Sequence, residues 1–489
     1  MRLTSGCTRM ALAVLFLAAC DDDDALGPSS TVESVAVIPT VFTLVVGDTL
    51  RLTTIARGDV GNPLAGRSVA WETSSSSVAT VSATGVVTAV GGGNASITAT
   101  IEGKTGAAAV TVSSVATFVS VATGGAHTCA LTASGAAHCW GRGEAGQLGM
   151  PAPQTLCLAD TYPCALVPLP VPTARAFKQL TAGSSHTCGL TNDGSAWCWG
   201  SNFYGQLGDS SNTARNAPVA VATSVKFASI DAGPNHTCAI TSAGAAWCWG
   251  QNGRGELGDG TITRRSVPVA VNMPAGVTIQ MISAGGTEPG FTCALATGGT
   301  VWCWGNNGRG QLGRGTRNFT SNPVPEAVAG SLTFTSVIAG FGDQACALTA
   351  SGAAHCWGAN SNGEVGDGKP GDSLLPSAVA GGLTFVALTA GGYFEGGHTC
   401  GLTSSGAAWC WGENSVGSVG DGLTDRTPRR TPVAVVGGLT FASIDAGFRH
   451  SCGLTTTGTL YCWGSGGTGQ LGVNSRNASP RPVKVLGQP

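Results

Sequence analysis

Seven copies of one motif occupy the last three-quarters of the chain. Each copy has two cysteines ten residues apart, a Trp-Gly pair directly after the second cysteine, and a Gly-x-Leu-Gly or Gly-x-Val-Gly turn. The first cysteine recurs every 50 to 59 residues. This is the length of a propeller blade, and the copies alternate Val, Thr and Ala with Gly-rich turns as β-strands do. The sequence therefore predicts an all-β protein in which residues 114–489 form a closed seven-bladed β-propeller.

The two cysteines of each copy are predicted to form a disulfide inside their blade. A three-residue turn at residues 133–135, with Gly135 in the left-handed region, places Cys129 opposite Cys139 on antiparallel strands. Directly opposed strand residues are close enough for a disulfide. Two further cysteines lie in the longest segment between copies. The predicted pairs are Cys129–Cys139, Cys188–Cys198, Cys238–Cys248, Cys293–Cys303, Cys346–Cys356, Cys400–Cys410, Cys452–Cys462 and Cys157–Cys164.

Three patterns within the copies are similar to ligand sites. Five copies carry a histidine two residues before the first cysteine, as at His186, but Phe291 and Gln344 replace it elsewhere. We therefore favour packing and backbone hydrogen bonding over zinc binding. Three copies match the spelling Gly-x-Gly-x-x-Gly, but each leads into a loop instead of the helix that a dinucleotide site needs. Asp209 and its counterparts are predicted to cap turns rather than bind calcium. We expect no metal ion and no cofactor.

Residues 1–20 resemble a bacterial lipoprotein signal peptide. Arg2 and Arg9 precede a short apolar segment that ends in Leu-Ala-Ala-Cys20. The resemblance implies that Cys20 becomes the lipidated first residue of the mature chain, and cleavage without a lipid is the alternative. The acidic run and the Gly-Pro-Ser stretch of residues 21–30 predict a tether. We expect an exported cell-envelope protein that is held by its lipid anchor, or a secreted one.

Residues 31–113 form a separate predicted domain. Short alternating strands such as Val78–Val81 and Ala95–Thr98 indicate a β-sandwich. Trp71, the Ser77–Ser82 stretch and the Gly85–Ala89 stretch resemble the bacterial immunoglobulin-like group 2 pattern, which implies a spacer or an adhesion module. The segment contains no cysteine, so we expect Trp71 and the aliphatic positions to supply its core.

The repeats themselves resemble the regulator of chromosome condensation repeat family, from about residue 114 to the end of the chain. The motif recurs seven times in order, and the resemblance implies a seven-bladed propeller. Five of the seven copies are preceded by a Pro-Val strand, and one more such strand, Pro482–Val485, stands near the last residue. We predict that this strand pairs into the blade that begins with Phe118–Val121 and closes the ring.

Composition and motifs favour a binding protein over an enzyme. Lys and Arg number 25 against 27 Asp and Glu, so the chain offers no basic surface for nucleic acid. No Gly-x-Ser-x-Gly or His-Glu-x-x-His motif occurs, and no thiol is left over for catalysis. We expect a monomer that binds an unidentified protein or glycan. The alternatives are a structural envelope component without a ligand and a propeller that inhibits an extracellular enzyme. Recognition is assigned to four irregular segments, Met150–Thr173, Asn318–Ala327, Gly368–Ser377 and Tyr393–Gly397.

Overall fold

The computed structural model describes residues 31–46, 48–113, 116–153, 155–157, 161–393 and 396–488. These residues form 39 strands and no helix, which confirms the all-β fold class. They divide into two compact units, one ending at Thr111 and the other beginning at Val112, with residues 91–93 grouped in the second. Nowhere in the described ranges is there an apolar helix of membrane-spanning length.

The first unit is a small antiparallel β-structure of ten strands. Its three sheets have the strand orders β1-β4-β5, β2-β10-β9-β6 and β3-β8-β7. The strands are β1 Ser34–Ile38, β2 Val41–Val45, β3 Thr49–Arg51, β4 Thr53–Arg57, β5 Pro63–Leu64, β6 Ala70–Thr73, β7 Ala79–Val81, β8 Val86–Ala89, β9 Gly93–Ile101 and β10 Lys104–Ser113.

The core of this unit is aliphatic. Val37, Val87, Ile97 and Val110 are almost completely buried because alternate residues of their strands point inward. Trp71 is only partly buried, so it contributes less to the core than the sequence suggested. Its ring lies where a side chain at residue 85 would stand, which leaves room for glycine alone.

The second unit is a ring of seven antiparallel sheets, each built from consecutive strands. Blade 1 holds an additional short strand, β14. The strands are, for blade 1, β11 Phe118–Thr123, β12 His127–Thr132, β13 Ala137–Arg142, β14 Leu156–Cys157 and β15 Tyr162–Pro170; for blade 2, β16 Phe177–Ala182, β17 His186–Thr191, β18 Ala196–Gly200 and β19 Arg215–Ala220; for blade 3, β20 Ser229–Ala232, β21 His236–Ile240, β22 Ala246–Gly250 and β23 Arg265–Ala270; for blade 4, β24 Ile279–Gly286, β25 Gly290–Ala296, β26 Val301–Gly305 and β27 Glu326–Ala327; for blade 5, β28 Ser336–Ala339, β29 Gln344–Leu348, β30 Ala354–Gly358 and β31 Ser373–Ala378; for blade 6, β32 Ala387–Tyr393, β33 Gly396–Leu402, β34 Ala408–Gly412 and β35 Arg429–Ala434; and for blade 7, β36 Phe441–Ala446, β37 His450–Thr455, β38 Leu460–Gly464 and β39 Ser479–Lys484.

The middle hairpin of each blade has the register that the cysteine spacing predicts. In blade 1, Cys129 is the direct cross-strand partner of Cys139, and Gly135 has a φ of 81° in the turn between them. The Cα atoms of the seven intrablade pairs are 4.0 to 4.1 Å apart. Cys157 and Cys164 have their sulfurs 1.99 Å apart in the long connection of blade 1. All eight expected pairs are therefore at bonding distance.

The prediction of ring closure was wrong. The Pro-Val strand is the fourth, outer strand of the preceding blade, and β39 pairs with β38 inside blade 7. It does not enter the sheet of blade 1, whose strand order is β11-β12-β13-β15-β14 with β11 as the inner strand. Proline in this position leaves a strand with fewer free N–H donors, and such strands suit the edge of a sheet.

The ring closes through contacts between side chains and loops instead. Asp445 in blade 7 accepts hydrogen bonds from the amide and the hydroxyl of Thr123 in blade 1, at 2.7 and 2.9 Å. The amide of Ala116 donates to the carbonyl of Gly487 at 2.6 Å. Val485 is completely buried in one cluster with Trp140 of blade 1.

We expect Val485→Ala to lower the free energy of unfolding by about 2 kcal/mol, because it removes two buried methyl groups and leaves a cavity. Thermal and denaturant unfolding under oxidising conditions measure the change. Val271→Ala is the matched control, since Val271 packs in the same way beside Trp304 in the middle of the ring. A destabilised V271A beside an unaffected V485A would contradict closure through this C-terminal segment.

Candidate functional site

One backbone carbonyl joins each blade to the next. It belongs to the variable residue of the Gly-x-Leu-Gly turn. The carbonyl of Gln206 in blade 2 accepts a hydrogen bond from the Thr237 hydroxyl and another from the Trp249 indole of blade 3, both at 2.9 Å. The same pair of bonds recurs at five further junctions, with the carbonyls of Gln147, Glu256, Glu364, Ser418 and Gln470 as acceptors.

The repeated histidines complete these junctions. His186 Nε2 lies 3.0 Å from the Thr237 hydroxyl of the next blade. Because that hydroxyl gives its proton to the Gln206 carbonyl, the histidine must donate through Nε2–H. His127, His236, His398 and His450 make the equivalent bond to a hydroxyl of the following blade, at 2.8 to 3.0 Å. The histidines therefore hold blades together. The predicted backbone partner of these side chains was wrong, since each ring nitrogen bonds to a side-chain hydroxyl of another copy.

Blades 4 and 5 depart from this scheme together. Phe291 replaces the histidine in blade 4, and the residue that would receive its bond in blade 5 is Ala345, which has no hydroxyl. The Gln311 carbonyl at this junction accepts the Trp357 indole bond, and Ala345 has no hydroxyl to supply the second one. Gln344 replaces the histidine of blade 5 and donates to the carbonyl of Gly391 at 2.9 Å.

Burial keeps the histidines neutral. It lowers the pKa of His127, His186, His236 and His450 to about 3 and that of His398 to about 4. Each ring is fixed by its bond to the next blade. The residues that the structure describes contain no group of three or more His, Cys, Asp or Glu side chains that could hold a metal ion.

The acidic residues after the turns cap them. Asp209 accepts hydrogen bonds from the Ser211 amide and hydroxyl, at 3.0 and 2.7 Å, and pairs with Arg215 at 2.8 Å. Asp259, Asp367 and Asp421 each accept the amide two residues later in the same way. The fingerprint-like glycines lie in tight turns: Gly255 has a φ of 87°, and a side chain there would collide with Pro323.

The irregular loops share one face of the ring. Residue 127, where strand 2 of blade 1 begins, pairs with residue 141, one residue before the end of strand 3. The loops between strands 1 and 2 and between strands 3 and 4 therefore leave the blades at the same edge, which we call the loop face. The four segments assigned to recognition include parts of these loops, but they are less irregular than predicted: Met150–Thr173 contains β14 and β15, Asn318–Ala327 contains β27, and Gly368–Ser377 contains the first five residues of β31.

A cavity of about 500 Å³ opens at the centre of the loop face. Its aromatic side is formed by Phe341, Tyr393 and Phe448, with the rings of Phe341 and Tyr393 each 5.2 Å from that of Phe448. Arg142 and Arg449 also line it. Tyr393 lies in a segment that was predicted to bind a partner, whereas neither phenylalanine was predicted. The available signal was a bulky residue at Phe448, where other copies carry Gly125, Ser184 or Pro234.

Half-buried carboxyls on the inner strands of the ring link neighbouring blades. Asp231 accepts bonds from the Thr181 hydroxyl at 3.1 Å and the Ala284 amide at 2.9 Å, so it joins three consecutive blades. Asp445 joins blades 6, 7 and 1 in the same manner. Burial raises the pKa of both carboxyls. Their bonds to neighbouring blades give them a structural role.

The comparisons with known proteins agree with this architecture. A model described as RCC1-like domain matches residues 222–488, and models of the regulator of chromosome condensation (RCC1) repeat match residues 118–147, 177–206, 134–190 and 193–240. The chain belongs to the RCC1-like family. Residues 31–112 match the bacterial Ig-like domain (group 2), which confirms that resemblance as well.

Relatives of the RCC1-like propeller occur in several settings. The chain is 30% identical to the ultraviolet-B receptor UVR8 of Arabidopsis thaliana over 73% of its own length and 67% of that protein. It is 32% identical to the E3 ubiquitin-protein ligase HERC2 of Homo sapiens over 40% of its length, but spans only 4% of that ligase. Yeast RCC1 (Prp20), in a crystal structure with Kap60, shares the fold with a TM-score of 0.61 at 23% identity, covering 71% of this chain and 83% of that one.

Thr237→Val tests the junctions of the RCC1-like propeller. The change keeps the shape of the side chain but leaves the buried Nε2–H of His186 without an acceptor, so we expect a loss of about 1–3 kcal/mol in unfolding free energy. Thr237→Ser keeps a hydroxyl, as Ser451 does naturally in blade 7, and should cost less than half as much. Equal losses for both variants, measured by denaturant unfolding, would argue against the hydrogen bond.

The pH dependence of stability follows from the histidines. Because the pKa of His236 is lower in the folded protein than in the unfolded chain, protonation of the unfolded chain destabilises the fold as pH falls below 6.5. Buried carboxyls with a raised pKa act in the opposite direction, so the test compares two proteins that share them. Between pH 6 and 4, the free energy of unfolding of His236→Gln should fall less steeply than that of the natural protein, by about 1.4 kcal/mol per pH unit. Denaturant unfolding at a series of pH values measures both slopes, and equal slopes would contradict the prediction.

Proposed function

We propose that the chain is a non-catalytic binding protein of the cell envelope, exported and lipid-anchored through Cys20, whose propeller presents its loop face to a protein or a glycan. The proposal rests on one observation. The loops between strands 1 and 2 and between strands 3 and 4 lie on one face of a ring whose blades each contain a disulfide. Binding residues are commonly carried by loops on a rigid scaffold.

The disulfides support export. Within the described ranges all sixteen cysteines are paired, and each of them is completely buried. Disulfides of this number persist in oxidising compartments and are rare where thiols are kept reduced. Cys20 and the tether of residues 21–30 lie outside the described residues, so the anchor rests on the signal-like sequence.

The loop face has the composition of a recognition surface. Tyr393 is 41% exposed and Phe203 is 66% exposed, and arginines line the central cavity. Aromatic residues and arginine are enriched where proteins bind their partners. A purely structural envelope component has no need of exposed rings on one face, which favours binding over that alternative. An enzyme inhibitor would use this same face.

Cys20→Ala tests the anchor. We expect the variant to lose fatty-acid labelling and to leave the membrane fraction, because the acylated thiol is gone. Cys7→Ala is the control, since Cys7 lies in the segment that is removed, and it should keep both properties. Labelling that persists in C20A would contradict lipidation at this residue.

Tyr393→Arg tests the loop face. Binding partners that the full chain captures from envelope and host-surface extracts, detected by quantitative mass spectrometry, should fall at least tenfold because the new charge occupies both cavities that Tyr393 lines. Ala243→Arg, an exposed change in the strand 2–3 turn of blade 3 on the opposite face, should leave them unchanged. Partners lost only with A243R would place binding elsewhere, and no partner in any arm would favour the structural role.

A further inference from the structure

The seven blades share one strand arrangement, so each loop can be compared with its counterparts in the other blades. In the sequence alignment of the copies, the loop between the positions of Ala182 and His186 has three residues in blades 1, 2, 3 and 7. It has six residues in blade 4, at 285–290, four in blade 5, at 340–343, and seven in blade 6, at 391–397. The substitutions Phe291, Gln344 and Ala345 fall in this same sector. A blade that departs from the repeat and loses a hydrogen bond to its neighbour is expected at a functional site.

The three long loops contact one another. Asp343 in the blade 5 loop accepts bonds from the amide and hydroxyl of Thr287 in the blade 4 loop, at 3.1 and 2.8 Å, and from the side chain of Gln311 at 3.2 Å. A side chain at Gly342 would meet the Cα of Gly397 in the blade 6 loop at 2.7 Å. Asp343 holds a φ of 64°, which an ordinary residue seldom adopts. Hydrogen bonds between the loops therefore hold this sector in a defined conformation.

Between these loops lies a cavity of about 390 Å³, which we call the three-loop cavity. Its walls are mainly planar polar side chains, those of Arg254, Asn306, Arg309, Asn362 and Glu288. The ring of Tyr393 borders it on the side of Phe448, and the ring of Phe319 borders it where it packs on Gly308.

Three charged side chains that line the three-loop cavity already have partners in the protein. Arg309 pairs with Asp372 at 3.4 Å, Arg254 donates to the carbonyl of Phe319, and Glu288 accepts the hydroxyl of Tyr204. A strongly charged ligand would therefore have to compete with these pairs. Few aliphatic residues line the cavity, so it offers no apolar groove for an amphipathic helix.

We propose that the three-loop cavity binds a neutral oligosaccharide. Each sugar hydroxyl both donates and accepts hydrogen bonds, which matches a wall of amides, guanidinium groups and a carboxylate. The apolar face of a sugar ring stacks on an aromatic ring, and Phe319 is 73% exposed at the cavity edge. The volume lies within the range of small-molecule sites. This inference rests on the proposed binding role of the loop face and names its ligand class.

The test uses the full chain with its disulfides formed and an array of neutral and acidic oligosaccharides, followed by titration calorimetry with the best neutral one. We expect neutral glycans to bind and Phe319→Ala to weaken that binding at least tenfold. Phe203→Ala removes a similarly exposed ring from the blade 2 loop outside the cavity and should change binding less than twofold. Both side chains are exposed, so the melting temperature of each variant should match that of the natural chain.

Three outcomes would overturn the inference: no array binding, a preference confined to acidic glycans, or neutral-glycan binding that F319A leaves unchanged. A protein partner that F319A weakens, with no glycan bound, would overturn the saccharide assignment and leave the binding role of the loop face intact. If neither a glycan nor a protein loses affinity with F319A or Y393R, both the inference and the proposed function fail.

Discussion

The propeller depends on a cross-strand disulfide in the middle hairpin of every blade. In blade 3 the pair Cys238–Cys248 directly follows the cross-strand pair Thr237 and Trp249, so the disulfide fixes the register that sets these two side chains beside each other. Only in that arrangement can both reach the carbonyl of Gln206 in the preceding blade. A local covalent constraint thereby determines how neighbouring blades join.

Closing the ring repeats this junction and adds the bond between the Ala116 amide and the Gly487 carbonyl. Blade 1 bonds to the Gln470 carbonyl of blade 7 through Thr128 and Trp140, and His450 reaches the same threonine. A single junction can be modified without losing the fold. Blades 4 and 5 lack the histidine and the hydroxyl of the usual junction, and Asp343 links these blades by accepting hydrogen bonds from Thr287 and Gln311.

Much of this could be predicted from the sequence, and the errors have physical causes. Spacing and a turn glycine determine the partner of Cys129, because they act within one hairpin. The partner of His186 lies about fifty residues away in another copy, yet the paired change to Phe291 and Ala345 was a readable signal of contact. The Pro-Val strands were assigned to the wrong blade because they lie between two copies, and sequence alone does not say which neighbour they pair with. The aromatic cluster around Phe448 was missed because it assembles from three separate blades.

The central claim is that each blade is cross-linked by its own disulfide. Disulfide mapping by mass spectrometry, on protein isolated from the cells that make it and alkylated before any reduction, tests it most directly. The account predicts seven linked peptide pairs ten residues apart, with Cys157 linked to Cys164 and no alkylated thiol among them. Alkylated thiols at the repeat cysteines, or links between different blades, would contradict it.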